Sequence, residues 1–157
     1  MSNHTFAVWL SAAVVCLGVS LPRHAAAGAA EMTVQAVLVW GTNGEKPPNK
    51  DLKELEPELA RKLSKAPYKW KNYFEVDRRL LTVSPSENKH VAMSEHCELE
   101  IKNLGDERIE VKLIGRGKPV SRNVESLPPG HTMILSGDDK NDNAWLIVLR
   151  QQPPSKK

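Results

Sequence analysis

The chain has 157 residues, 22 Lys and Arg against 19 Asp and Glu, and a formal net charge of +3. A balance so close to neutral lacks the strongly basic face that nucleic-acid binding uses, so nucleic acid is not an expected partner. The two cysteines are Cys16 and Cys97. Once the leader described next is removed, no internal disulfide remains, and stability in an oxidising compartment must come from packing.

No charge interrupts the chain from Phe6 to Leu21, and Pro22 then breaks any helix. Ala25-x-Ala27 and Gly28-x-Ala30 follow, two small-x-small sites of the kind signal peptidase cuts. The apolar run is shorter than the ~20 residues a transmembrane helix needs. Val15 before Cys16, where a lipoprotein would have a small residue, argues against lipidation. Residues 1–30 are therefore expected to be a cleaved secretory signal peptide. No membrane span is expected after cleavage, and the location is periplasmic or extracellular. Removal takes Arg23 and no acid, which lowers the net charge by one. What remains falls in the ~100–150 residue range of a single domain with one core. The expected organisation is one β-rich domain over 31–150 and a flexible polar tail over 151–157.

Met32–Trp40 has the composition of a strand, with Val34, Ala36, Leu38 and Trp40 on one face and Val37 and Val39 making the other apolar. Such a strand is expected to be covered on both sides. Gly41–Lys50 is a Gly- and Pro-rich loop. Leu52, Leu55, Leu59 and Leu63 form one stripe at helical spacing, and Asp51 with Glu54 has the pattern of a capping box. Pro57 inside that stripe requires either a kink or a helix that begins at the proline.

From Tyr68 to Val83 the pattern turns to strand, followed by a polar turn at Ser84–Asn88 and a short strand over Lys89–Ser94. Cys97, Leu99 and Ile101 alternate with Glu98, Glu100 and Lys102, and Ile109, Val111 and Leu113 alternate with Glu110 and Lys112. The two runs predict a β-hairpin with opposite charges facing across its wet side. Further strands are expected over Val120–Leu127, His131–Leu135 and Ala144–Leu149, with a Pro-Pro-Gly turn at 128–130. The sum is a mainly β (α+β) fold: an antiparallel β-sandwich or open barrel of seven or eight strands with one covering α-helix.

The residues that carry chemistry are sparse. Cys97 shares a face with Leu99 and Ile101 and is expected to be a buried small hydrophobe, with adjacent His96 pointing to the opposite face. His90, His96 and His131 lack ligand spacing, so no metal and no cofactor is expected. Asp138–Asn143 is rich in oxygen ligands but lacks the glycine and glutamate of a calcium loop, and it has the composition of a plain turn. No catalytic constellation stands out, and an enzyme is not expected.

The most suggestive stretch runs from Arg61 to Arg79, where Arg61, Lys62, Lys65, Lys69, Lys71, Arg78 and Arg79, against Glu75 and Asp77, interleave with Tyr68, Trp70, Tyr73 and Phe74. Aromatic faces beside cations suit a glycan or another anionic polymer. Leu52-x-x-Leu55-x-Pro57-x-Leu59, Trp70-x-x-Tyr73, Leu127-Pro128-Pro129-Gly130 and Gly137-Asp138-Asp139 together resemble small exported bacterial proteins. That resemblance supplies no activity to carry over. The leading functional expectation is an exported, non-enzymatic interaction domain that binds another envelope protein by strand addition. The alternative is a glycan-binding module using Tyr68, Lys69, Trp70, Lys71 and Tyr73.

Overall fold

The computed structural model describes residues 30–48, 51–65, 67–137 and 143–153. The expected leader (but for Ala30), the acidic run 138–142 and the last four residues lie outside the described residues. Among the described residues the chain forms β1 (Met32–Thr42), β2 (Lys53–Glu54), α1 (Pro57–Leu63), β3 (Asn72–Val83) and β4 (Asn88–Ser94). These are followed by β5 (Cys97–Gly105), β6 (Arg108–Gly115), β7 (Lys118–Ser126), β8 (Thr132–Gly137) and β9 (Ala144–Gln151). The strands make two antiparallel sheets, one ordered β2-β3-β1-β9-β8 and the other β4-β5-β6-β7. The fold is mainly β, a sandwich with one short helix, as the sequence pattern predicts.

Met32, Val34, Ala36 and Leu38 of β1 and Ile147 and Leu149 of β9 point into the sandwich. They meet Leu99 and Ile101 of β5 and Ile109, Val111 and Leu113 of β6 in one buried cluster. The opposite face of the five-stranded sheet carries Val37, Val39, Ala144, Leu146 and Val148, which pack under Leu55, Leu59 and Leu63. Thus β1 is covered twice, by a second sheet on one side and by α1 with its approach on the other. That is why its sequence is apolar on both faces.

Of the two readings of Pro57, the helix that begins at the proline is the one formed: α1 starts with Pro57 in its first turn, and Glu56 caps it without a side-chain bond. Proline lacks the N–H an interior position would use and disfavours helix at the residue before it. Leu52 and Leu55 therefore reach the core from an extended approach containing β2, and the Asp51–Glu54 capping box does not form. The added strand β2 brings the number to nine among the described residues. At the far end, β9 runs to Gln151, so the first residue of the expected tail belongs to the sheet. The next amide, that of Gln152, bonds the Thr33 carbonyl at 2.8 Å.

The two sheets are fastened at one corner by a buried residue, Asn103 near the end of β5. Its side-chain amide donates to the Val83 carbonyl at 3.0 Å and the Ala30 carbonyl at 2.9 Å, while its Oδ1 accepts the Gly105 N–H at 2.9 Å. Its backbone carbonyl accepts from Ser86 at 3.0 Å. A buried amide with its hydrogen-bonding groups so engaged fixes the crossing from β3 to β4.

Candidate functional site

The aromatic and basic stretch that the sequence singles out lies between α1 and β3, and β3 starts only at Asn72. Tyr68, Trp70 and Tyr73 are half-buried and pack against the cluster under the helix. Tyr73 is tied further in, donating its hydroxyl to the Leu63 carbonyl at 2.8 Å. Gly41 of β1 makes room for these rings. A Cβ there would stand 3.1 Å from Tyr73 Cε1 and 3.4 Å from Trp70 Cδ2. Burial raises the phenol pKa of both Tyr68 and Tyr73 above its ordinary value. Lys69 is exposed and lies over the Trp70 ring, with Nζ 5.9 Å from its centroid.

The structure brings Lys71 and Tyr73 together in one open groove of about 320 Å³, with Ala60, Arg61, Ser64 and Asn72 as the other lining residues. Arg61 and Ser64 come from the end of α1 and the residue after it. Sequence reasoning placed Arg61 in the same basic stretch as Lys71 but missed Ser64 and Asn72, and missed the convergence itself, because the turn between α1 and β3 creates the juxtaposition. The Lys71 backbone N–H donates to Asn43 Oδ1 at 3.1 Å. Asn72 Nδ2 donates to the Gly44 carbonyl at 2.8 Å. These bonds fix the groove's floor to the loop after β1.

A second depression, of about 220 Å³, lies on the outer face of the four-stranded sheet and is lined by Ser86, Asn88, Glu100, Lys102, Glu110, Lys112 and Arg122. Two carboxylates offset most of the charge of its three cations. Lys112 Nζ is 2.9 Å from Glu100, and Arg122 bonds Glu110 through Nε at 3.0 Å and Nη2 at 2.9 Å. Hydrogen bonds, from Asn88 first and then Lys112, hold the Glu100 carboxyl below its ordinary pKa; the bond from Arg122 does the same for Glu110. The Glu100–Lys112 pair is of the kind that the alternation of β5 and β6 predicts, whereas Arg122–Glu110 joins β6 to β7.

Cys97 is half-buried at the start of β5, and burial, aided by the charge of Glu98, pushes its thiol pKa up to about 11. A thiol so raised is almost wholly protonated near neutral pH and is a poor nucleophile. His90, His96 and His131 are exposed. Among the described residues no group of three or more His, Cys, Asp or Glu could hold a metal ion, and no helix is long and apolar enough to cross a membrane.

The sheet edges differ in how they are closed. Along β3, the strand β2 covers only Phe74 and Glu75. Further along, the Arg78 N–H is taken by Asp77 Oδ1 at 2.8 Å and the Thr82 carbonyl by Lys89 Nζ at 2.7 Å. Charged side chains that occupy edge groups in this way discourage strand pairing.

On β7, by contrast, Val120 is 48% and Val124 43% exposed. The Leu127 amide bonds inward to the Glu107 carbonyl at 2.7 Å. In the β6–β7 register Arg108 stands opposite Ser126, Glu110 opposite Val124 and Lys112 opposite Arg122. Inward and outward pairs alternate along an antiparallel ladder, so the backbone groups of Arg122, Val124 and Ser126 point away from β6. No side chain among the described residues caps them.

No known protein family, curated protein or solved structure matches the chain.

Proposed function

We propose that this chain is an exported, non-enzymatic domain of the bacterial envelope that binds another protein by accepting an extended segment of it beside β7. The observation that carries the proposal is the uncapped outer edge of that nine-residue strand, with two exposed valines on it. Main-chain bonds to Arg122, Val124 and Ser126 would supply affinity, and side chains at alternate positions would supply selectivity. The fitting segment is apolar opposite Val120 and Val124. It carries acidic residues towards the hairpin tip, where Arg116 and Lys118 are exposed. Export is supported by the uncharged run Phe6–Leu21 and the small-x-small sites after it.

Val124→Pro supplies the test. Proline removes an N–H that points to the open edge and leaves the β6–β7 ladder intact. A photo-cross-linking residue at position 120 should give one reproducible protein adduct in intact cells, lost in the Val124→Pro background. The same probe at Leu80, on the guarded β3 edge, should give none. An adduct indifferent to the proline, or none at position 120, contradicts strand addition at β7. N-terminal sequencing of the chain recovered from the envelope should begin at Gly28 or Glu31. An intact Met1 on a cytoplasmic chain contradicts export.

A further inference from the structure

The geometry points to a second binding site, independent of β7: the groove between α1 and the start of β3, built to take an acidic sugar residue of a glycan. Its lining holds two cations, Arg61 and Lys71, and no carboxylate. Neither cation has an ion-pair partner among the described residues. Arg61 spends only its Nε, on the Pro57 carbonyl at 3.3 Å, which leaves both terminal nitrogens of the guanidinium for a ligand. The contrast is the depression on the four-stranded sheet, where Glu100 and Glu110 already occupy Lys112 and Arg122. Of the three cations lining it, only Lys102 stands outside those pairs, and it shares the depression with two carboxylates that an anion would have to approach. At the helix groove it would relieve two neighbouring positive charges.

The remaining lining sets the rest of the ligand. Ala60 and the half-buried Tyr73 ring offer an apolar wall, held in place by the Tyr73–Leu63 bond. Asn72 has its NH₂ committed to Gly44, so its oxygen is left to accept from a hydroxyl. A ligand with one anionic group, one C–H face and hydroxyls along its rim matches that set, and an acidic sugar has all three. The groove's volume of about 320 Å³ sits at the small end of ligand pockets, ~300–1,000 Å³, which suits one or two sugar rings of a longer chain. Lys65 and Lys69 are exposed nearby and extend the positive field along the polymer. Compared with the stacking platform expected from sequence, the site keeps Lys71 and Tyr73, gains Arg61 and Asn72, and assigns Tyr68 and Trp70 to packing.

The test is titration of the purified mature chain with oligogalacturonate, a neutral galactose oligomer of the same length, and inorganic phosphate, followed by heteronuclear NMR. The expected result is salt-sensitive binding of oligogalacturonate, with shifts centred on residues 60–64 and 71–73 and none on β7. Arg61→Glu with Lys71→Glu, both exposed positions that leave the core untouched, should weaken it by about tenfold or more. Equal binding of the neutral oligomer, equal binding of free phosphate, unchanged affinity in the double variant, or no binding of oligogalacturonate would each overturn the assignment. Because the Val124→Pro edge is not involved, loss of the β7 partner leaves this outcome unaffected, and the reverse holds too.

Discussion

On β1 and β9 both faces of each strand are packed, one against the second sheet and the other against the helix layer. On β5 and β6 one face is packed and the other stands in water. The sequences record the difference. Val37-Leu38-Val39-Trp40 and Leu146-Ile147-Val148-Leu149 are unbroken apolar runs, whereas Leu99, Ile101, Val111 and Leu113 alternate with charges. The same pleat serves both sheets, so what separates them is whether a third layer exists above the outward positions. The helix layer sits where those outward positions are apolar. The bare sheet has to make its outward face soluble, and it does so with a ladder of cross-strand charge pairs.

The comparison can be broken most severely by a matched pair of truncations. Leu146→Ala, beneath the helix on β9, should cost about 2–5 kcal/mol through lost burial and a residual cavity. Lys112→Ala, at the water-facing position of β6, should cost under about 1 kcal/mol, since exposed ion pairs contribute little. Chemical denaturation of both variants checks this, and equal losses would mean that the outward face of the four-stranded sheet is covered by something in solution.

Asn103→Ala should come next, at about 2–3 kcal/mol, because it strands the Val83 carbonyl and the Gly105 amide at the corner where the two sheets join. Hydrogen exchange should show the loss first at β4 and the end of β5. A uniform loss across both sheets would refute a local fastening role.

Glu107→Gly sharpens the comparison from the other direction. Glu107 sits at φ 58° in the β5–β6 turn, a left-handed conformation that glycine adopts without the Cβ penalty. The substitution should raise stability by about 0.5–1 kcal/mol and move the thermal midpoint up.

The smallest effect concerns acid. Glu87, Glu100 and Glu110 have folded pKa values below their ordinary ones, Glu87 through the Ser84 N–H and the other two through the bonds described above. A carboxylate depressed in the folded state adds stability above its unfolded pKa, about 4.3 for Glu. That increment shrinks as pH falls below this value and is gone below the folded pKa. Wild type should therefore lose more stability between pH 5 and pH 3, roughly the window set by that unfolded value, than the Glu100→Gln/Glu110→Gln variant does. Parallel pH profiles would show that the ladder adds nothing.

Much of this was legible in the residues. The double burial of β1, the alternation of β5 and β6 and the Glu100–Lys112 pair between them all follow from period-two patterning, which is local. The burial of all four leucines was legible too, and a helix beginning at Pro57 was one of the two readings the sequence offered. The 3.6-residue spacing of Leu52, Leu55, Leu59 and Leu63 fits an extended approach followed by a short helix equally well, and only Pro57 hinted at the break.

Asn103 carried no local signal, since its role depends on Ala30 and Val83 arriving from other strands. The groove is similar: Arg61, Lys71 and Tyr73 were visible as one aromatic and basic stretch, while their convergence, with Asn72 beside them, came only after the chain turned back from α1. By itself the sequence determined which positions are buried and which strands are covered twice, because burial follows from side-chain chemistry and backbone period. Sheet order, the capped edge of β3 against the open edge of β7, and the cations of the groove were decided by tertiary structure. Each depends on residues far apart in the chain being brought to one place.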